Sequence, residues 1–250
     1  MSNTELAIPI VARSIGNKMG VKVIYGHEQP KTNGNVIYLP NLPLDDDKTR
    51  ILGLGYVVHE AGHVRFTDFG VSSPVSPLHK HIRNIFEDIR MEREIMAFYP
   101  GAKKVLCELM EYLVEDEYFK IGGNTPAQVI SGYLLYTLRS SALKQPAFLP
   151  LAKASSDNLD GLVSSGAITR VNSVMSQVLT AKSTLDAHNL ALEIISILED
   201  DIKPPDNDDS DDEKEPEEND SSDTGDNDEQ EQSTTGANGS SDDTDENAQQ

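Results

Sequence analysis

The sequence predicts an α+β fold that is mainly helical: a small N-terminal β-hairpin sheet, a helix carrying His-Glu-x-x-His, and then helices alone. Three observations predict it. Two short runs rich in β-branched residues, Val21-Lys22-Val23-Ile24-Tyr25 and Val36-Ile37-Tyr38-Leu39, lie near the N-terminus. From Asp47 to about residue 200 apolar side chains recur at helical spacing. Residues 203–250 hold 19 Asp and Glu against Lys203 and Lys214, with no aromatic residue, a composition that cannot build a core. The expected organisation is a folded domain over 1–202 and a disordered acidic tail or linker over 203–250.

Taking the elements in order, Glu5 to Ile15 reads as a helix with Pro9 in its first turn. Val21–Tyr25 is a strand ended by Gly26. Polar Glu28 to Asn35 makes a turn, and Val36–Leu39 is a second strand stopped by Pro40, so the two strands are expected to pair as a hairpin. Asp45, Asp46 and Asp47 supply a cap and favourable charge at the start of a helix running to about Phe66. Gly53, Gly55 and Gly62 cost that helix propensity, which points to close approach by other elements. Thr67 to Pro77 is a loop, and Leu78 to Tyr99 is a highly charged amphipathic helix. Further helices are predicted at about 102–119, 125–139, 154–164, 167–179 and 183–200.

Charge and cysteine content exclude several classes. The chain carries a net charge of −21, of which the tail supplies about −17, leaving a mildly acidic body near −4. Lys and Arg are scattered, so no nucleic-acid surface is expected. The N-terminus lacks a signal-peptide pattern, and no apolar run approaches the roughly 20 residues of a membrane span. No membrane association and a cytoplasmic location are therefore expected. Cys107 is the only cysteine, which excludes an internal disulfide and a thiolate cluster. Any metal must be held by histidine and carboxylate.

The motif Tyr56-Val57-Val58-His59-Glu60-Ala61-Gly62-His63-Val64 carries the chemistry. Residues four apart share a helix face, so His59 and His63 can offer two imidazole nitrogens to one ion, while Glu60 is placed to touch a metal-bound water as general base. Zinc needs a third protein ligand. Glu87, 24 positions beyond His63, is the first choice and Asp88 the second. In the glutamate-zincin pattern the third ligand sits on such a helix, and a carboxylate one turn later holds a histidine by its other nitrogen. Here that position is Met91, whereas Asp88 has polar Asn84 and Glu92 one turn away on either side. Arg90, Tyr38, His79 and His81 are candidate oxyanion donors. The Val36–Leu39 strand is a candidate edge for binding an extended peptide.

Gly55 to Asp68, followed by Asn84-Ile85-Phe86-Glu87-Asp88-Ile89-Arg90-Met91-Glu92, resembles the zincin-type metallopeptidase-like region of cobaltochelatase-T-like proteins of bacteria and phages, over about residues 36–98. The resemblance implies a zincin-like fold and a Zn2+-dependent peptide-bond hydrolase acting on a protein or peptide, in the cytoplasm of a bacterial cell or a phage-infected host. It equally implies an alternative: an inert interaction module, or a cobaltochelatase-like subunit partnering an AAA+ ATPase, with structural or absent metal. Proteins of this kind usually continue through an acidic linker into a von Willebrand factor A domain, and this chain ends within such a linker.

Overall fold

A computed structural model of the chain describes residues 3–202; the predicted acidic tail lies outside the described residues. Helix α1 (Asn3–Gly16) leads into strands β1 (Lys22–Tyr25), β2 (Lys31–Thr32) and β3 (Val36–Leu39). Seven helices follow among the described residues: α2 (Asp47–Phe66), α3 (Pro77–Phe98), α4 (Pro100–Glu115), α5 (Pro126–Ser141), α6 (Leu149–Asp157), α7 (Ser165–Val178) and α8 (Thr184–Ile202). A 3₁₀ turn, Pro146–Phe148, precedes α6. The result is mainly helical with a small three-stranded sheet, as the α+β expectation requires. No helix of the described residues is long and apolar enough to cross a membrane.

The sheet departs from the hairpin expected. Its order is β1-β3-β2, with β1 parallel to β3 and only the two-residue β2 antiparallel to it. The segment read as a plain turn contains β2, whose Thr32 is buried, donates to the Val36 carbonyl and accepts from the Gly34 N–H. Gly34 takes a positive φ of 82°, which glycine adopts without strain. The chain therefore turns twice between β1 and β3 rather than once. β3 is the central strand and has no free edge, so the expected role of Val36–Leu39 in pairing with extended peptide does not hold. Pro9 lies well inside α1 rather than in its first turn. Helix α6 spans Leu149–Asp157, not 154–164.

Helices α2 and α3 occupy the middle. Helix α2 starts where Asp46 accepts from the Thr49 N–H, and α3 where Ser76 accepts from that of His79. One face of α2 packs with α1 and the sheet through Ile8, Ile37, Leu39, Val57 and Ala61. Another meets α3 and α4 through Val58, Met91, Ile95 and Leu106. The apolar face of α3, Ile82, Ile85, Phe86 and Ile89, belongs to the core it shares with α5, α7 and α8. Each such side chain contributes about 1.5–3 kcal/mol of burial. The α2 glycines explain themselves here: a Cβ on Gly55 would sit 2.7 Å from the Leu109 Cβ of α4, and one on Gly62 would run into Met91 of α3. Arg93 fastens α3 to the end of α7, donating to the carbonyls of Val178, Leu179 and Ala181.

Candidate metal centre

Packing Met91 beneath Gly62 fixes the rotation of α3 against α2 and thereby decides which carboxylate reaches the histidines. It is Asp88. Its Oδ1 stands 3.2 Å from His63 Nε2 and 3.9 Å from His59 Nε2, and the two Nε2 atoms are 3.2 Å apart. All three residues are buried. Ligand bonds of about 2.0–2.1 Å in a tetrahedral site put neighbouring donors about 3.3–3.4 Å apart. The observed separations bracket that value, so the donor set fits a first-row divalent ion.

The histidine tautomers fit as well. Glu92 Oε1 accepts from His59 Nδ1 at 3.1 Å, and a carboxylate can only accept. Thr67 donates its hydroxyl proton to Glu87 Oε1 at 2.6 Å and so accepts from His63 Nδ1 at 2.9 Å. With both Nδ1 protons held in this way, an ion that displaces any proton from Nε2 would find both Nε2 lone pairs on the side of Asp88.

Glu87, the expected first-choice ligand, is engaged elsewhere. Arg90 grips both its oxygens, at 2.8 and 2.6 Å, while Thr67 and Thr184 donate to Oε1. Its charge is answered, and its lone pairs are used on orienting His63 through Thr67. Arg90 also donates from Nη2 to the Phe66 carbonyl at 2.7 Å, so its Nε and Nη2 are committed to Glu87 and the end of α2. Glu92 is likewise answered: Arg139 and Gln145 donate to it, along with His59. Of the three buried acids on α3, Asp88 alone has no arginine.

The electrostatics favour a cation. Burial works against a charged His59, yet the Glu92 hydrogen bond and the charges of Asp88, Glu92 and Glu60 raise it to about 9. Burial would push Glu92 up, but the Arg139 charge and then His59 bring it down to about 2. Glu60 is 1 % exposed, has no hydrogen-bond partner on either oxygen among the described residues, and is raised above the usual carboxylate range by burial.

A cavity of about 250 Å³ opens beside the cluster, lined by Glu60, His63 and Asp88 and by Lys80, Arg83 and Asn84 of α3. Asn84 is thus at the site. Tyr38 is not: it packs on His27 with ring centroids 4.4 Å apart and lies under Lys31. His79, a candidate oxyanion donor, is fully buried, accepting from the Val75 N–H and donating to the His188 carbonyl. Sequence reasoning missed Thr67, Thr184, Arg139 and Gln145 altogether. Only Arg139 left a trace, as a lone cation in the apolar α5.

Fold and site together define a helical protein with a buried two-histidine, one-aspartate cluster of the kind that holds a divalent ion. The chain belongs to the family of cobalamin biosynthesis protein CobT, whose model matches residues 5–250. No curated protein and no solved structure matches it. The family match corrects the expectation of a zinc-dependent peptide-bond hydrolase. Membership in a cobalamin biosynthesis family fits the alternative, a cobaltochelatase-like subunit, and gives no support to a peptidase acting on protein or peptide.

Proposed function

We propose that this chain is the metal-holding subunit of a cobaltochelatase-like system that inserts a metal ion into a tetrapyrrole, acting with an AAA+ ATPase partner in the cytoplasm of a bacterial cell or a phage-infected host. The family match over residues 5–250 carries the reading. The centre supports it. His59, His63 and Asp88 would hold a resident first-row ion, and the two-nitrogen, one-oxygen donor set suits zinc. When bound, the ion supplies a fixed positive charge and a position open to an oxygen ligand from the cavity. The zincin-like placement of α2 against a carboxylate helix is on this reading a scaffold for the ion. Around it, Glu92 and Thr67 hold the imidazoles, and Arg139 and Arg90 hold Glu92 and Glu87. A von Willebrand factor A domain in a longer parent chain goes with the same reading.

The test is metal content and ATPase stimulation measured together. The wild-type chain should retain about one ion after dialysis, Asp88→Asn and His63→Ala should lose it, and Glu87→Gln should keep it. Added to the AAA+ subunit of the same system, the loaded chain should change ATP turnover. A chain that neither retains an ion nor alters its partner would refute the proposal.

A further inference from the structure

The cavity beside the cluster has a wall that the metal reading leaves unused. Lys80, Arg83 and Asn84 stand at i, i+3 and i+4 in the first turns of α3, share one face, and line the cavity with His63 and Asp88. All three are half-buried. Among the described residues, the Lys80 ammonium and the Asn84 side-chain amide have no hydrogen-bond or ion-pair partner. Arg83 uses one nitrogen, donating from Nη1 to the Ser72 carbonyl at 3.2 Å. Burial pulls Arg83 below the usual arginine range, with the Glu87 charge opposing it. Two partly desolvated cations without a carboxylate in contact are unfavourable unless the cavity supplies an anion.

We propose that Lys80, Arg83 and Asn84 form a subsite for a small carboxylate that also reaches the ion held by His59, His63 and Asp88; the proposal rests on that metal reading. The guanidinium fork matches two coplanar carboxylate oxygens, the Asn84 amide adds a donor, and Lys80 supplies a point charge. The opposite wall explains why binding depends on the ion. Glu60, Asp68, Glu87 and Asp88 face the same space, and of these only Glu87 is answered by an arginine, so an anion entering the ion-free cavity meets three unanswered acids against two cations. A divalent ion at the cluster reverses that balance. The carboxylate can belong to a free small acid or project from the edge of a larger substrate.

The test uses the full chain loaded with Co2+, its metal content measured first, and malonate titrated while the visible cobalt bands are recorded. The wild type should show a saturable change with a Kd on the order of 1 mM. The doubly substituted Lys80→Gln/Arg83→Gln chain should keep its cobalt and lose affinity by about tenfold or more, whereas Lys80→Arg should retain it. Malonate saturating below a carboxyl-rich porphyrin assigns the subsite to a free acid; the reverse order assigns it to a carboxylate on a larger substrate. Wild-type affinity in the double variant, or equal malonate binding by the metal-free chain in calorimetry, would overturn the proposal. A chain that takes up no cobalt overturns the metal reading itself, and the prior metal measurement tells that failure from the others.

Discussion

Arg139→Met tests the charge arrangement around the centre without touching a proposed ligand. The Arg139 Nη1 lies 3.3 and 3.4 Å from the two Glu92 oxygens, with side chains 2 % and 0 % exposed. Opposite charges at that separation attract by about 5 kcal/mol at an effective dielectric constant of about 20. Glu92 would keep two donors, His59 Nδ1 and Gln145 Nε2, but neither replaces a permanent cation. Removing one partner of a buried pair costs about 3–5 kcal/mol, and that range is the expected loss. Methionine retains the apolar reach toward Phe148, whose ring centroid lies 5.6 Å from the guanidinium, so packing contributes little to the change. The assay is urea unfolding followed by circular dichroism, with chelator present so that no ion contributes. Glu92→Gln and the double variant complete a cycle. The double variant should be less damaged than the two single losses added together, by about 2 kcal/mol or more, because no unpaired buried charge remains. A single-variant loss below about 0.5 kcal/mol, or additive effects, would refute the claim that Arg139 is what keeps Glu92 charged beneath His59.

Five further outcomes follow from the same geometry. Glu87→Gln should lower stability by about 3–5 kcal/mol in urea unfolding while leaving metal content intact, because it strands buried Arg90 rather than removing a ligand. Thr67→Val removes the acceptor of His63 Nδ1 at nearly constant volume, and should weaken metal affinity about tenfold or more in competition with a chromogenic chelator. Gly55→Ala should cost about 1–3 kcal/mol in thermal unfolding, since the new Cβ meets the Leu109 Cβ at 2.7 Å. Gly101→Ala in α4 meets nothing within 4 Å and should be neutral or gain up to about 1 kcal/mol. Chelation of a loaded wild-type chain should lower its stability by about 2.7 kcal/mol or more where the ion stood at 100 times its dissociation constant, and Asp88→Asn should erase the difference.

What could be read from the sequence was whatever depended on neighbours along the chain. The start of α2 was legible in Asp46 and its three-residue reach to Thr49, and the paired histidines in a spacing that any helix enforces. Helix α6 was placed five residues too late: it begins at Leu149, with Pro150 in its first turn, which proline tolerates. Strand β2 was invisible: two polar residues, Lys31 and Thr32, make no pattern, and only pairing with β3 defines them. The choice between Glu87 and Asp88 could not be made locally. Adjacent residues point about 100° apart on a helix, so the answer depends on how α3 is rotated, and Met91 under Gly62 sets that from another helix. Thr184 lies 97 positions from Glu87 and Arg139 47 positions from Glu92, distances at which spacing carries no information.

The arrangement has a consequence for how an ion would act on the molecule as a whole. Helix α2 belongs to the N-terminal part, packed on α1 and the sheet, whereas α3 is bound into the C-terminal helices by its apolar face and by polar ties: Glu92 to Arg139 of α5, Glu87 to Thr184 of α8, and Arg93 to the end of α7. The donors divide along the same line, His59 and His63 from α2 and Asp88 from α3. An ion shared by them would close a cross-link between the two parts at a point where side-chain packing is interrupted by polar groups. The supporting hydrogen bonds cross the same boundary, His59 to Glu92, and His63 through Thr67 to Glu87. An ion at the centre would therefore be linked through hydrogen-bonded side chains to α5 and α8 on one side and, through α2, to the sheet on the other. On the proposed reading as a subunit beside an ATPase, the ion would have a mechanical as well as a chemical part: the three residues that would bind it would add a cross-link to the apolar packing of α2 on α3 and α4.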